Sequence, residues 1–225
     1  RDITELRLRD RLLVSKDATI REIHHRVKNN LQTISSLLRV QGRRLESVEA
    51  KLAIDESVRR IRAIALVHET LASESSDDVS LAEVASMLAR TVQDSFTSPE
   101  RPIRFEVVGD AGLVPSDVVT RLAVVLNELL QNTVDHAFPA DLPFVEGRVG
   151  LVEILLSRDA EHIRMIVRDD GVGVPDDFDS SSQGGLGVSI IRALATSELG
   201  GEIVMRRRRD SAGSEVLVEV PLLDD

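Results

Sequence analysis

His25 stands in the run Arg21-Glu22-Ile23-His24-His25-Arg26-Val27-Lys28-Asn29-Asn30. Apolar residues at Ile20, Ile23, Val27, Leu31, Ile34 and Leu38 follow helical spacing. At about 100° per residue, His25 lies about 155° from the centre of that stripe and His24 only about 55° from it. His25 therefore faces outward, with Arg21, Lys28, Asn29 and Gln32 within two turns, a set of donors around an imidazole. Such a face is either a solvated polar surface or a nucleophilic imidazole whose neighbours attract a phosphate, and taken alone these residues leave both readings open.

Three further groups bear on that choice. On a predicted helix from Ser116 to Ala137, Leu122, Val125, Leu126, Leu129, Thr133 and Ala137 form the expected core face. Glu128, Asn132 and Asp135 form a separate row, with His136 a turn from Asn132. A carboxylate that can orient or deprotonate a nucleophile and an amide oxygen that can join a hard oxygen shell suit magnesium phosphate chemistry. Asp169-Asp170-Gly171-Val172-Gly173 follows a predicted strand; its glycines permit a tight turn and close backbone approach, and an aspartate there can accept from an exocyclic amine. A calcium loop is disfavoured, because the twelfth position from Asp169 is Ser180 and not glutamate. Gly184-Gly185-Leu186-Gly187 opens a helix whose amides favour phosphate. The dinucleotide fingerprint fails at Ile190, and G-x-x-x-x-G-K-[ST] is absent. The nine residues from Pro175 to Gln183, mostly Asp, Ser and Gln, read as a flexible lid.

The elements that must position these groups fall into two segments. Leu6, Leu13 and Ile20 repeat every seven, but Asp10 and Asp17 occupy alternate seam positions, so residues 1–17 read as a connecting helix and a weak coiled coil. One helix from residue 2 to 46 would span roughly 65 Å, and it needs a partner helix. Val48, Leu52, Val58, Ile61, Ala65 and Leu71 supply one, with Ser47 as the break. A two-helix hairpin has little interior, and a four-helix bundle of two copies buries both seams. Ser80-Leu81-Ala82-Glu83 is a capping box opening a helix to Phe96. Strands are expected at 102–108, 149–157, 162–168, 202–208 and 215–221, with a helix at 188–199 closed by Gly200-Gly201. Strands and helices mix without regular alternation, which predicts helices layered on one face of a mixed sheet. The run Arg206 to Arg209 reads as a solvated strand or hairpin end, with a partner or nucleotide contact as the lesser alternative.

The chain has 225 residues, of which 42% are hydrophobic, enough for a packed core. It has no cysteine, which excludes disulfides and thiolate chemistry and fits a reducing compartment. No apolar run is long enough to cross a membrane, so no direct membrane insertion is expected. Aromatics are 2% and the net charge is −10, a composition opposed to nucleic-acid binding. Residues 1–72 carry 15 Lys+Arg against 10 Asp+Glu (+5), and the remainder 13 against 28 (−15), so a basic segment meets an acidic one near residue 73. Ser73 to Asp78 reads as the linker, giving an expected division into residues 1–17, a hairpin at 18–76 and an α/β domain at 77–225. The chain opens in a charged helical pattern without methionine and reads as a piece of something longer.

In order, His-Arg-Val-Lys-Asn-Asn at 25–30, Asn-Glu-Leu-Leu-Gln-Asn at 127–132, Asp-Asp-Gly-Val-Gly at 169–173 and Gly-Leu-Gly at 185–187 resemble the phosphoacceptor box, N box and two glycine boxes of a sensor histidine kinase. The first box is similar to that of the His-Arg-x-Lys-Asn subclass, the second dimerisation-domain class related to the HWE kinases. The whole resembles actinobacterial cytosolic kinases that signal to antitermination-type response regulators. The resemblance implies an α+β chain: a helical hairpin forming a four-helix bundle in a homodimer, then a Bergerat-type (GHKL) α/β sandwich that binds ATP with Mg²⁺. It implies that His25 accepts the γ-phosphoryl group and passes it to an aspartate on a receiver domain, with Lys28 assisting. Glu128 matches the superfamily's carboxylate, Asn132 would hold the metal, and Asp169 would bind the adenine amine. Gly171, Gly173, Gly185, Leu186 and Gly187 would shape the pocket and lid, with His136 and Ser214 contributing to the nucleotide site. The +5 hairpin suits an acidic receiver, with Arg39, Arg43 and Arg44 as candidate contacts.

Some positions depart from that pattern. Arg26 stands where many kinases have an acidic base, leaving Glu22 or Glu128 as candidates; Asp135 replaces a common phosphate-contacting lysine; and Ser214 stands where threonine is usual. His68 is expected to be packed and hydrogen-bonded, not catalytic. A superfamily ATPase or Ser/Thr kinase would leave the His25 box unexplained, and a non-catalytic scaffold would be expected to have lost Asn132 or Asp169.

Overall fold

A computed structural model describes residues 22–23, 25–73, 78–139, 147–175, 186–209 and 212–222. The expected connecting helix at 1–17, most of the interdomain linker, the lid and Gly185 lie outside the described residues. The chain divides into two units, Arg1–Val79 and Ser80–Asp225.

The first unit is a helical hairpin. Helix α1 runs over residues 25–42 and α2 over Val48–Ser73. The expected continuation of α1 to residue 46 does not occur. Turns from Arg44 N to Gln41 O and Leu45 N to Gly42 O close the helix at Gly42, where a side chain would press on Ile54. Ser47 is the break, as its spacing suggests: its Oγ accepts from Ala50 N at 3.2 Å and caps α2. Val58, Ala63, Ala65 and Val67 are buried, whereas Ile23, Ile34, Leu37, Val40, Val48 and Leu52 are at least 45% exposed within one chain.

The second unit is an α/β sandwich, as the mixed pattern predicts. Its five-stranded sheet has the order β2-β4-β5-β7-β6, comprising β2 (Ile103–Gly109), β4 (Gly150–Arg158), β5 (His162–Asp169), β6 (Glu202–Arg207) and β7 (Ser214–Pro221). β2 and β4 are parallel and the other pairs antiparallel. Two strands of three residues, β1 (Asp78–Ser80) and β3 (Leu113–Pro115), escape sequence reading because three residues show no alternation.

The core follows from period. Val152, Ile154 and Leu156 on β4, Ile163, Met165 and Val167 on β5, and Val216, Val218 and Val220 on β7 alternate inward and are buried. Helix α3 (Leu81–Phe96) buries Leu81, Val84, Ala85, Leu88, Ala89 and Val92, and Ser80 caps it, accepting from Glu83 N at 3.3 Å. It packs on β2 and on α4 (Ser116–Asn132), which in turn meets α5 (Leu186–Arg192). The opposite face of the sheet carries cross-strand ion pairs: Arg164 with Glu219, and Arg168 and Arg206 both with Glu215. Burial pushes the Glu215 carboxyl up, but its two guanidinium partners outweigh that and hold it below the usual range.

The predicted helix at 116–137 changes character at its end. Thr133–Ala137 is a π-turn, and at its start Thr133 N donates to both Leu129 O and Leu130 O. The wider turn rotates residues 133–137 out of the α phase. Thr133 is accordingly only half-buried, and the predicted row divides into buried Glu128, half-buried Asn132 and exposed Asp135. The same widening occurs after α5, at Ala193–Glu198.

Candidate nucleotide pocket and phosphoacceptor helix

The pocket candidates of the second unit stand where α4, the β5 end and the β6–β7 hairpin meet. Helix α4 is buried nearly all round, so Asn127, Glu128 and Gln131 enter the interior beside the leucines; Glu128 is 2% exposed. That corrects the expectation of a polar row apart from the core. Among the described residues, the Asn132 side-chain nitrogen is one of three buried side-chain polar atoms without a hydrogen-bond partner. Amide nitrogen and oxygen are interchangeable by a flip, so the observation is that one end of this buried amide has no protein partner. His136 and Asp135 lie exposed on the π-turn.

Asp169 ends β5 and is 4% exposed. Its Oδ1 accepts from Gly171 N at 2.9 Å and from Ser214 N at 3.2 Å. Burial pushes the carboxyl up against these bonds, which pull it down. A carboxylate has about four lone-pair sites, so capacity remains for a ligand amine. Gly171 must be glycine for lack of room: a Cβ there would stand 2.7 Å from both the carbonyl carbon and the Cβ of Ala137. The loop is tied to the same residue by Val172 N donating to Ala137 O at 3.0 Å. Gly213, at φ 105°, leaves no room for a side chain against Asp169. Ser214 is buried, and its Oγ accepts from Val174 N at 3.1 Å, so the hydroxyl in the usual threonine position closes the loop. Gly173 lies in the same loop at φ 78°. Leu186 begins α5 and Gly187 is buried in its first turn.

Three arginines support this frame. Arg208 Nη1 donates to Asp169 O at 3.1 Å and Arg207 Nη1 to Val174 O at 3.3 Å. The run at 206–209 is thus not merely a solvated strand end; the β6–β7 register brings it to the Asp169 loop. Arg101 donates through Nη2 to Val134 O and Phe138 O, holding the carbonyls around the π-turn. Strand pairing was the available signal for the first two. Arg101 had none, since its partners are main-chain atoms more than thirty residues away.

In the first unit, His25 is exposed on α1, Lys28 is half-buried one turn on, and Asn29 and Gln32 are exposed. Glu22 pairs with Arg26 at 2.7 Å, and that hydrogen bond and charge hold its carboxyl below the usual range, which makes it a weaker proton acceptor. His68 is half-buried on α2.

Among the described residues no cluster of three His, Cys, Asp or Glu could cage a metal ion. Mg²⁺ retains several waters and binds through one or two protein oxygens together with substrate phosphates. A single amide lacking a protein partner, beside a buried carboxylate on the same helix, fits that kind of site.

A histidine kinase family model matches residues 22–96, and a model of the histidine kinase-, DNA gyrase B- and HSP90-like ATPases matches residues 117–224. Sensor histidine kinase PdtaS of Mycobacterium tuberculosis is 46% identical over 222 residues, 99% of this chain and 43% of that protein. Blue-light-activated histidine kinase 2 of Erythrobacter litoralis is 29% identical over 212 residues, covering 92% of this chain and 58% of that one. The solved histidine kinase domain of Erythrobacter litoralis EL346 superposes with a TM-score of 0.62 at 27% identity, over 93% of this chain and 96% of that domain. The chain thus spans less than half the length of the PdtaS proteins it matches. With four motifs in order, a helical unit followed by a GHKL-type sandwich, and both family models matched in sequence, the chain belongs to the histidine kinases, in the HWE-related subclass.

Proposed function

We propose that this chain is the catalytic core of a two-component sensor kinase, which phosphorylates His25 from Mg²⁺-ATP and passes the phosphoryl group to an aspartate on a response-regulator receiver domain. The observation that carries the reading is the joint presence of an exposed imidazole within a donor-rich helical face and a buried aspartate held by backbone amides beside a partnerless N-box amide. Residues 18–76 act as the phosphoacceptor hairpin and 77–225 as the ATP-binding domain.

Asp169 accepts the adenine amine, its Oδ1 already fixed by Gly171 and Ser214. Gly171, Gly173, Gly185, Leu186 and Gly187 shape the pocket and its cover. Asn132 holds Mg²⁺, which when bound neutralises charge on the phosphates. His136 and Ser214 complete the nucleotide site, Ser214 through the loop it closes. Phosphoryl transfer depends on in-line positioning and charge stabilisation, so His25 needs an unprotonated nitrogen directed at the γ-phosphorus, with Lys28 attracting its oxygens. Glu22 is committed to Arg26, which weakens it as a proton acceptor, and Glu128, on the helix that carries Asn132, is the other candidate to orient or accept a proton. The exposed apolar residues of the hairpin favour a homodimer. No helix among the described residues is long and apolar enough to cross a membrane, which is compatible with a cytoplasmic location.

Incubation with γ-labelled ATP and Mg²⁺ tests the assignment. The label is expected to be acid-labile and base-stable and to vanish in His25→Gln. Acid-stable label, or label that survives this substitution, would overturn it.

A further inference from the structure

The helical hairpin contains a cavity most of whose lining the proposed kinase reaction does not use; Lys28 alone among its cations belongs to that reaction. It has a volume of about 440 Å³ and opens between α1 and α2. Lys28, Gln32, Ser35, Ser36 and Arg39 line it from α1, and Arg62 from α2. Three of these side chains are cationic, and no carboxylate lines the cavity. A second cavity that shares Arg39 is lined by Asp55 together with Arg43 and Lys51. Among the described residues, neither Arg39 nor Arg62 forms an ion pair.

Ser35 gives a second, independent indication. Serine and threonine within helices commonly donate to the carbonyl four residues back. Thr33, Ser36 and Ser57 of this hairpin do so, at 3.0, 2.9 and 2.9 Å. Ser35 does not: it is 5% exposed, and its Oγ has no partner although it lines the cavity. A buried hydroxyl without a partner costs about 1–3 kcal/mol, so it is expected to meet an acceptor that the protein itself does not supply.

We infer that this cavity is a binding site for a phosphate-bearing anion, held by Arg39 and Arg62 from the two helices and by the Ser35 hydroxyl. Guanidinium groups match phosphate oxygens with paired donors, and a hydroxyl adds a directional bond that a diffuse cationic surface lacks. The volume lies within the range of small-molecule sites, so it accommodates an ester group as well as the phosphate. The lining of α1 is centred about 120° round the helix from the stripe of Ile23, Val27, Leu31, Ile34 and Leu38, and a second copy covering that stripe leaves the cavity open. An anion bridging α1 and α2 would stiffen the hairpin that carries His25, and would therefore act on phosphotransfer without entering the nucleotide pocket. The inference does not depend on the kinase reading, since its test involves no turnover.

The test is titration of the whole chain with inorganic phosphate and, separately, with glycerol 3-phosphate, followed by calorimetry and by the melting temperature, against chloride at equal ionic strength. Saturable binding of at least one, with a raised melting temperature, is expected. Arg62→Gln and Arg39→Gln should each weaken it about tenfold, consistent with loss of a charge-assisted bond. Ser35→Ala should weaken it severalfold, and Arg62→Lys should restore part of the affinity. His25→Gln and Asp169→Asn should leave it unchanged, separating this site from the phosphoacceptor and the nucleotide pocket. Tighter binding of the ester identifies a phosphorylated small molecule, and equal binding identifies free phosphate. Helical content by circular dichroism confirms that the variants fold. Binding no stronger than that of chloride, binding indifferent to Arg62→Gln and Ser35→Ala, or binding lost in Asp169→Asn would each refute the site, the first meaning that the cavity holds water only.

Discussion

Gly171→Ala isolates the lock between the N-box turn and the aspartate loop. The position is not in the left-handed region, so the substitution carries no backbone conformational penalty. What it adds is one methyl group, 2.7 Å from the carbonyl carbon and the Cβ of Ala137, where carbon atoms ordinarily sit about 3.5–4.0 Å apart. The obstacle is largely main chain, which cannot swing aside, so loop and turn must separate by about 1 Å. That overpacking costs about 1–3 kcal/mol, and loss of the bond from Val172 N to Ala137 O adds about 1 kcal/mol. A destabilisation of about 2–4 kcal/mol is expected in urea unfolding. Because Gly171 N also fixes Asp169 Oδ1, the displaced carboxylate should lose ten- to a hundredfold in affinity for a non-hydrolysable ATP analogue, about 1.4–2.8 kcal/mol. Gly112→Ala is the control: a Cβ there meets nothing within 4 Å, and φ is 69°. It should cost only the left-handed backbone penalty, about 1–2 kcal/mol, with unchanged analogue binding. Stability within about 0.5 kcal/mol of the parent and affinity within about threefold for Gly171→Ala would refute the idea that contact between loop and turn sets the pocket.

Two further substitutions test the same frame. In Asp169→Asn the amide oxygen can keep the bonds from Gly171 and Ser214 while the buried charge is removed. Burial raises the folded-state pKa of Asp169, so its protonated form stabilises the fold at low pH and that stability is lost as pH rises through the folded value. Asp169→Asn should therefore be at least as stable as the parent at pH 7–8 and lose its advantage below about pH 4, while binding adenine nucleotide more weakly; parallel urea midpoints across pH decide it. Arg101→Met removes the donor to Val134 O and Phe138 O and should cost about 2 kcal/mol of stability. It should raise the KM for ATP more than it lowers kcat, with Arg101→Lys partly restoring it, and an unchanged KM would show that Arg101 only stabilises.

The helices and strands of the sandwich were legible wherever burial imposes a period. Leu81 to Val92 and the alternations of β4, β5 and β7 read directly from sequence because each buries one face. The ends of the elements were less legible. The π-turn at Thr133–Ala137 depends on the ladder widening to bonds five residues apart, and no residue type marks where that happens. The misjudged setting of Glu128 has a related cause: α4 is covered on nearly every side, so a polar row on its wheel did not mean a polar surface. In the hairpin, Ile23, Ile34, Val48 and Leu52 are legible as seam residues, whereas Leu37 and Val40 lie off the α1 stripe, and the exposure of all six in one chain is a fact of the structure alone.

The pocket frame explains why some of its residues announce themselves and others do not. Its closing bonds are made largely by main-chain groups: Ala137 O to Val172 N, Asp169 Oδ1 to the amides of Gly171 and Ser214, and Arg208 N to Gly213 O. A main-chain bond leaves a trace in sequence only where it excludes a Cβ or needs one acceptor, hence the glycines at 171 and 213 and the single aspartate. Arginines that bind carbonyls, as Arg101, Arg207 and Arg208 do, specify nothing about their partners' side chains, so only the strand register points to Arg207 and Arg208, and nothing points to Arg101. A pocket walled by turns and one buried carboxylate needs no stacking platform, and the cost it bears instead is the desolvated charge of Asp169. A ligand amine that restored a donor to that carboxylate would relieve part of this cost, so in the proposed site the feature that weakens the empty fold would also favour a donor at that position.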